Sequence, residues 1–275
     1  MEENVQVAFT LTILAGLATG IGSVIAFFIK EKSMKVLTFA MGFAAGVMLY
    51  VSFTEILPEA THKLSEAYGD EKSATIFAVL AFFAGMLLVG IIDKLIPTAE
   101  NPHEFSNAQF NNNKEDATTS SVQDSEKLMR IGVLTALALA IHNFPEGIAT
   151  FVAALEDPTL GMTIAVAIAI HNIPEGIAVS MPIFYATGDR KKAFFYSFLS
   201  GVVEPIGAII GYYFLMDYLN NEVLGLLLSA VAGIMVFISL DQLLPAAEEY
   251  GEHHLSIYGL VLGMAVMAIS LILMM

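Results

Sequence analysis

Eight apolar runs, each near 20 residues or longer, dominate this chain, at roughly 5–29, 36–60, 74–97, 129–155, 160–186, 193–216, 223–247 and 255–275. A helix rises about 1.5 Å per residue, so each run is long enough to cross the hydrocarbon of a bilayer. Lipid offers no partner to peptide N–H and C=O groups, and each run must therefore close its own hydrogen bonds as a helix. The composition agrees: 56% of the 275 residues are hydrophobic, 14% are charged, and the mean hydropathy is +0.72. The expected fold class is an all-α integral membrane protein with eight transmembrane helices. The first run is too long for a signal-peptide core, follows acidic residues and lacks a clear cleavage site, so it reads as the first span. There is no cysteine, which excludes disulfides and thiolate metal sites.

The net charge of −15 argues against nucleic acid as a partner, but the placement of positive charge is more informative. Lys30, Lys32, Lys35, Lys94, Lys114, Lys127, Arg130, Arg190, Lys191 and Lys192 fall on one side of the spans. Only Lys63 and Lys72 fall on the other. Positive loops stay inside, so the first side is expected to be cytoplasmic and both termini extracytoplasmic, in a multi-pass protein of the cell (inner) membrane. Residues 98–126 have no apolar periodicity and are rich in Asn, Ser, Thr, Asp and Glu, as expected of a disordered cytoplasmic linker. The chain then divides into helices 1–3 (1–97), the linker (98–126), helices 4–5 (127–186) and helices 6–8 (187–275).

Two repeats are written over this layout. Residues 45–60 align without gaps on 232–247, with Gly46/Gly233, Met48/Met235, Ser52/Ser239, Leu57/Leu244 and Pro58/Pro245 coinciding. Helix 1 echoes helix 6 through Gly16/Gly201, Ile21/Ile206 and Gly22/Gly207. A displacement of five helices reverses direction in the membrane, so this is a 3+2+3 inverted repeat, helices 1–3 against 6–8 around helices 4 and 5. Repeats of that kind characterise alternating-access transporters. Glycines spaced four apart (Gly16/Gly20, Gly42/Gly46, Gly207/Gly211, Gly259/Gly263) are read as close helix packing rather than chemistry.

The second repeat carries the chemistry. Residues 142–149 read His-Asn-Phe-Pro-Glu-Gly-Ile-Ala, and residues 171–178 read His-Asn-Ile-Pro-Glu-Gly-Ile-Ala. His142 and Glu146 are one turn apart on one helix face, with Asn143 on a neighbouring face; His171, Asn172 and Glu175 repeat the set. Pro145 and Pro174 free the carbonyls of Ile141 and Ile170, and with the following glycine are expected to open the backbone. Both motifs fall near the bilayer midplane, as does Glu204 of the Glu204-Pro205 pair on helix 6. An ionised carboxylate there costs roughly 2.5–3.5 kcal/mol, and no lysine or arginine lies at that depth. The missing positive charge must come from protons or a cation: one divalent ion leaves three carboxylates at about −1, two leave about +1. Imidazole, carboxylate and amide suit zinc and neighbouring divalent ions, and Glu146 and Glu175 are the natural bridges of a binuclear site.

Polar residues toward the faces outline a route. Glu55 and Glu59 fall near the outer end of helix 2, and their counterparts Asp241 and Gln242 near the inner end of helix 7, as two acidic vestibules. Met48, which recurs as Met235, is either a soft ligand or cavity lining, and His253 and His254 lie in the last cytoplasmic loop. A carrier without ATP machinery follows, since no GxxxxGK[ST] loop is present. Two alternatives stay open: an intramembrane metal-dependent hydrolase, although HExxH is absent, and a passive channel.

The paired His-Asn-x-Pro-Glu-Gly motifs, Glu204-Pro205 and the 3+2+3 layout resemble the ZIP (Zrt/Irt-like) metal transporters, and among them the bacterial zinc importers, over all but the linker. The resemblance implies that His142, Asn143, Glu146, His171, Asn172, Glu175 and Glu204 are the ligands of a binuclear transport site, with Met48 a further contributor. It implies uptake of zinc, with iron, manganese, cobalt and cadmium accepted alongside it, as transported substrate and not as cofactor. The lipid bilayer is the other partner, and a homodimer is one assembly open to such a chain. Two departures matter: His103 is the only histidine of a loop that is histidine-rich in many members, and Asn172 stands where other branches carry aspartate.

Overall fold

The computed structural model describes residues 2–28, 33–95, 117–249 and 253–274. Eight helices among them are long and apolar enough to cross a membrane: α1 (Glu2–Phe28), α2 (Met34–Tyr68), α3 (Glu71–Leu95), α4 (Ala117–Glu156), α5 (Pro158–Thr187), α6 (Arg190–Leu215), α7 (Asn221–Glu249) and α8 (His253–Met274). The described residues contain no strand. The chain is therefore an all-helical, multi-pass membrane protein. Of the segment expected as a linker, residues 98–116 lie outside the described residues, and so do Lys30, Lys32, His103 and Lys114. The linker reading extended to residue 126, whereas α4 already begins at Ala117. Periodicity misses such a start, because a polar helical extension has no apolar face to betray it.

Short polar turns set the ends of the spans. Asp157 caps α5 by accepting from the N–H groups of Thr159 and Leu160, and Pro158 takes the first helical position, where its missing N–H costs nothing. Asp189 caps α6 in the same way through Lys191 and Lys192. Gly69 and Gly188 end α2 and α5 with φ of 67° and 71°, left-handed values that a side chain would disfavour.

The inverted repeat is present in three dimensions. α1 packs on α5 as α6 packs on α4, and α2 packs on α8 as α7 packs on α3. The backbone crossings match pair by pair. Gly46 lies against the carbonyl of Leu260 and Gly233 against that of Phe82; Gly263 meets Phe43 and Gly85 meets Ala230. A π-helical turn interrupts α2 at Ser52–Ile56 and α7 at Ser239–Leu243. Each serine donates its hydroxyl to the carbonyl four residues back, Met48 at 2.6 Å and Met235 at 2.8 Å, and a proline follows six residues on. Back-bonding and a missing amide both loosen the regular ladder there, and a wide turn absorbs the mismatch.

Peripheral α3 and α8 show lipid-type faces, with Leu80, Phe83, Leu87, Val261, Ile269 and Ile272 exposed. The main apolar core is built largely from α2, α4, α5 and α7. The end of the bundle at the start of α4 is clasped by polar pairs: Lys127 of α4 with Glu249 of α7, and Arg130 of α4 at 3.6 Å from Asp93 of α3.

Candidate metal centre

The two octapeptides come together where α4 and α5 cross. His142 Nε2 lies 3.3 Å from Glu146 Oε2 on its own helix and 3.2 Å from Glu175 Oε1 on α5. His171 Nε2 returns to α4, 2.8 Å from Glu146 Oε1. His142, Asn172 and Glu175 are fully buried, and Glu146 and His171 nearly so. Ligand atoms of His142, His171 and Glu175 all lie within 4.8 Å of one another. Ligands about 2.1 Å from a tetrahedral zinc stand about 3.4 Å apart, close to the spacing of His142 Nε2 from Glu175 Oε1 and Glu146 Oε2, and small side-chain rotations would bring the rest of the cluster to it.

Glu204 joins the cluster through α6. Asn172 Nδ2 donates to Glu204 Oε2 at 2.9 Å and to the carbonyl of Ala15 on α1 at 3.0 Å. The other asparagine mirrors it, Asn143 Nδ2 donating to the carbonyl of Ser200 on α6 at 3.0 Å. Each amide nitrogen is thus engaged, which fixes its oxygen as the free end. Asn143 Oδ1, Asn172 Oδ1, Glu204 Oε1 and Glu175 Oε2 are all buried without a hydrogen-bond donor among the described residues. Burying an unpartnered acceptor costs on the order of 1–3 kcal/mol, so four such oxygens on the cluster's residues suit a cation. Among the described residues no lysine or arginine takes part in the ion pairs of this cluster; Lys127 and Arg130 make theirs nearer the start of α4.

Some expectations need correcting. α4 and α5 run as uninterrupted α-helix through Pro145 and Pro174. The glycine after each motif glutamate serves packing instead of unwinding: Gly147 lies against the carbonyl of Glu204, and Gly176 against that of Thr19. The two vestibules are not alike. Glu55 and Glu59 are exposed, and the Coulombic field of His171 reaches Glu55. Gln242, which stands opposite Glu55 in the repeat, is buried and accepts from Thr135 of α4 at 3.3 Å. An uncharged amide can be buried against a hydroxyl where a carboxylate would need stronger compensation.

Met48 is fully buried in the apolar core. His253 is exposed and pairs with Glu248 at 3.0 Å, away from the cluster. Sequence reasoning missed a pair of hydroxyls beside the site: Ser23 Oγ lies 2.6 Å from Ser197 Oγ, and Ser197 Oγ lies 3.0 Å from the carbonyl of Gly176. Isolated serines in apolar runs are ordinary, and only the crossing of α1 over α6 gives these a place.

Comparison with known proteins agrees with the layout. The family model "ZIP Zinc transporter" matches residues 5–271. The chain is 58% identical over 273 residues to "Zinc transporter ZupT" of Streptococcus mutans, covering 99% of both chains. It is 58% identical over 276 residues to the protein of the same name from Clostridium perfringens, covering 98% of this chain and 96% of that one. Against that of Chlorobaculum parvum it is 56% identical over 273 residues, covering 99% of both. The family is one of transporters and not of enzymes, which removes the hydrolase alternative. With paired motifs, inverted repeat and full-length match in agreement, the chain belongs to the ZIP zinc transporter family.

Proposed function

We propose that this protein carries divalent metal ions, zinc foremost, with iron, manganese, cobalt and cadmium as further substrates, across the cell (inner) membrane into the cytoplasm. His142, Glu146, His171 and Glu175 form the centre of the site, and Asn143, Asn172 and Glu204 complete it. The site holds two ions in this reading, with Glu146 and Glu175 as the bridges and Met48 as a further contributor. The observation that carries this reading is the interlocked histidine–glutamate cluster, buried where α4 and α5 cross, with no lysine or arginine in its ion pairs among the described residues.

Each group has a task in the cycle. Glu55 and Glu59, exposed on α2, raise the local concentration of cations at the outer mouth. The two imidazoles accept an ion only when neutral, and each now rests on a glutamate that the ion would take from it. The asparagine amides, tied to Ala15 and Ser200, hold their oxygens in position. Because these anchors sit on α1 and α6, a rocking of the repeats moves ligands of both motifs together. An inside-negative potential favours inward movement of a dication by about 4.6 kcal/mol per 100 mV.

The test is zinc uptake into proteoliposomes containing the purified protein. Saturable uptake is expected, abolished by Glu146→Ala together with Glu175→Ala. Unchanged uptake in that double variant would contradict the assigned site, and non-saturable flux would favour a channel.

A further inference from the structure

The α1–α6 crossing contains a residue that the proposed transport cycle has not yet used. Gly16 and Gly201 meet at the crossing, and a methyl group on either would stand 2.6 or 2.5 Å from the carbonyl of the other. Three residues beyond Gly201 lies Glu204; three residues beyond Gly16 lies Thr19. The side chains occupy mirrored places. A methyl on Gly16 would meet Glu204 Oε2 at 3.2 Å, and one on Gly201 would meet Thr19 Oγ1 at 2.8 Å. Their backbones are mirrored too, the carbonyl of Glu204 against Gly147 and that of Thr19 against Gly176. Thr19 therefore stands to the α5 motif as Glu204 stands to the α4 motif.

Its hydroxyl also differs from those of its neighbours on α1. Thr12 and Ser23 on the same helix each donate to the carbonyl four residues back, both at 2.9 Å. Thr19 does not, and the carbonyl it would use, that of Ala15, accepts from Asn172 instead. Thr19 Oγ1 is fully buried and has no hydrogen-bond partner among the described residues.

We propose that Thr19 is the release-side ligand of the transported ion, the neutral counterpart of Glu204. The inference rests on the transport reading above. In the orientation proposed there α1 runs inward and α6 outward, which places Glu204 on the outer side of the crossing and Thr19 on the cytoplasmic side. Each is about 4.5 Å along its helix from the glycine. When inverted repeats exchange conformations, each takes the surroundings the other had. The ion that met a carboxylate on capture then meets a hydroxyl on release. A hydroxyl binds a divalent cation more weakly because it brings dipole without charge, so departure to the cytoplasm is eased. The asymmetry lies in one position of an otherwise mirrored pair.

The experiment compares wild type, Thr19→Val, Thr19→Ser and Thr19→Glu in proteoliposomes, with zinc as the probe. Initial uptake rates are measured over a range of external zinc, and equilibrium zinc affinity on the detergent-purified proteins. Thr19→Val, nearly isosteric, is expected to lower the maximal rate about 10-fold, the scale of losing one polar contact at a metal site, with KM unchanged. Thr19→Ser is expected to restore the rate. Thr19→Glu is expected to bind zinc more tightly and to turn over more slowly. Thr19→Val at the wild-type maximal rate would overturn the inference. So would a serine variant as slow as the valine one, since the methyl and not the hydroxyl would then matter. If the wild type itself takes up no zinc, the transport reading falls and this one with it. Wild-type uptake beside an unaffected valine variant removes Thr19 alone.

Discussion

Adding one methyl group at Gly16 should loosen the metal centre without replacing any ligand, although the new carbon would also come within 3.2 Å of Glu204 Oε2. The new carbon of Gly16→Ala would stand 2.6 Å from the carbonyl of Gly201, against 3.4 Å for ordinary contact, with Pro205 Cδ at 3.1 Å on the same side. Both neighbours are helix backbone or a closed ring, so neither can swing aside; α1 and α6 must part by about 0.8 Å. Ala15, adjacent to the new methyl, and Glu204, one turn past Gly201, move apart with them. Asn172 bridges the two, with hydrogen bonds of 3.0 and 2.9 Å, and cannot follow both. One of these bonds stretches beyond about 3.5 Å and is lost. Loss of the bond to a carboxylate costs about 1.5–3 kcal/mol, which is about a 10- to 150-fold weakening if it falls on the bound state. Isothermal titration of zinc into purified protein, with uptake KM beside it, measures the effect. Gly20→Ala is the control: its methyl would meet only the ring edge of Phe198, at 3.2 Å. A flexible ring can turn away, and less than about a 3-fold change is expected there. Equal zinc affinity in Gly16→Ala and wild type would refute the claim that the α1–α6 crossing holds the site together.

Asp157→Ala removes the cap that starts α5 and should destabilise the protein by about 1 kcal/mol, read as a lowered Tm in detergent, with zinc affinity unchanged because the cap lies at the far end of α5. Asp70, in the turn before α3, accepts from the hydroxyl and the amide of Ser73, and those bonds hold its carboxyl below the usual aspartate range. A depressed pKa contributes stability that is complete above the unfolded value of about 3.9 and disappears as pH falls through the folded value. The protection of the Ser73 amide, its exchange rate relative to the intrinsic rate at the same pH, should therefore fall only below about pH 4 in the wild type, and should be low and free of this pH dependence in Asp70→Ala. Ser197→Ala breaks the hydroxyl contacts between α1, α6 and Gly176 and is expected to cost about 1–2 kcal/mol in thermal stability, with a serine-to-threonine change costing less.

Much of this architecture is legible because lipid imposes strict rules on a chain. The eight spans follow from apolar length alone, and the motif residues stand out because buried charge in hydrocarbon demands a reason. His142, Glu146, His171 and Glu175 meet as their helix spacing implies, and Glu204 arrives through Asn172. What the sequence hid depends on neighbours. The start of α4 at Ala117 is polar and has no period to read. The burial of Gln242 depends on Thr135, a residue 107 positions away. Unwinding at Pro145 and Pro174 looked natural, yet Gly147 and Gly176 dock against facing carbonyls and leave no room for it. The importance of Thr19 was within reach of the helix 1/helix 6 alignment, for the Gly16/Gly201 match carries it onto Glu204; as an isolated threonine it gave no sign.

Crystals of the protein soaked in zinc, with anomalous diffraction collected across the zinc absorption edge, test the central claim most directly. The account expects two adjacent peaks between α4 and α5, each with His142 or His171 nitrogen and Glu146 or Glu175 oxygen at about 2.0–2.2 Å. One of them should lie on the Asn172–Glu204 side. A single peak there would reduce the site to one ion. No peak among these four residues, with zinc bound elsewhere in the helices, would contradict the account.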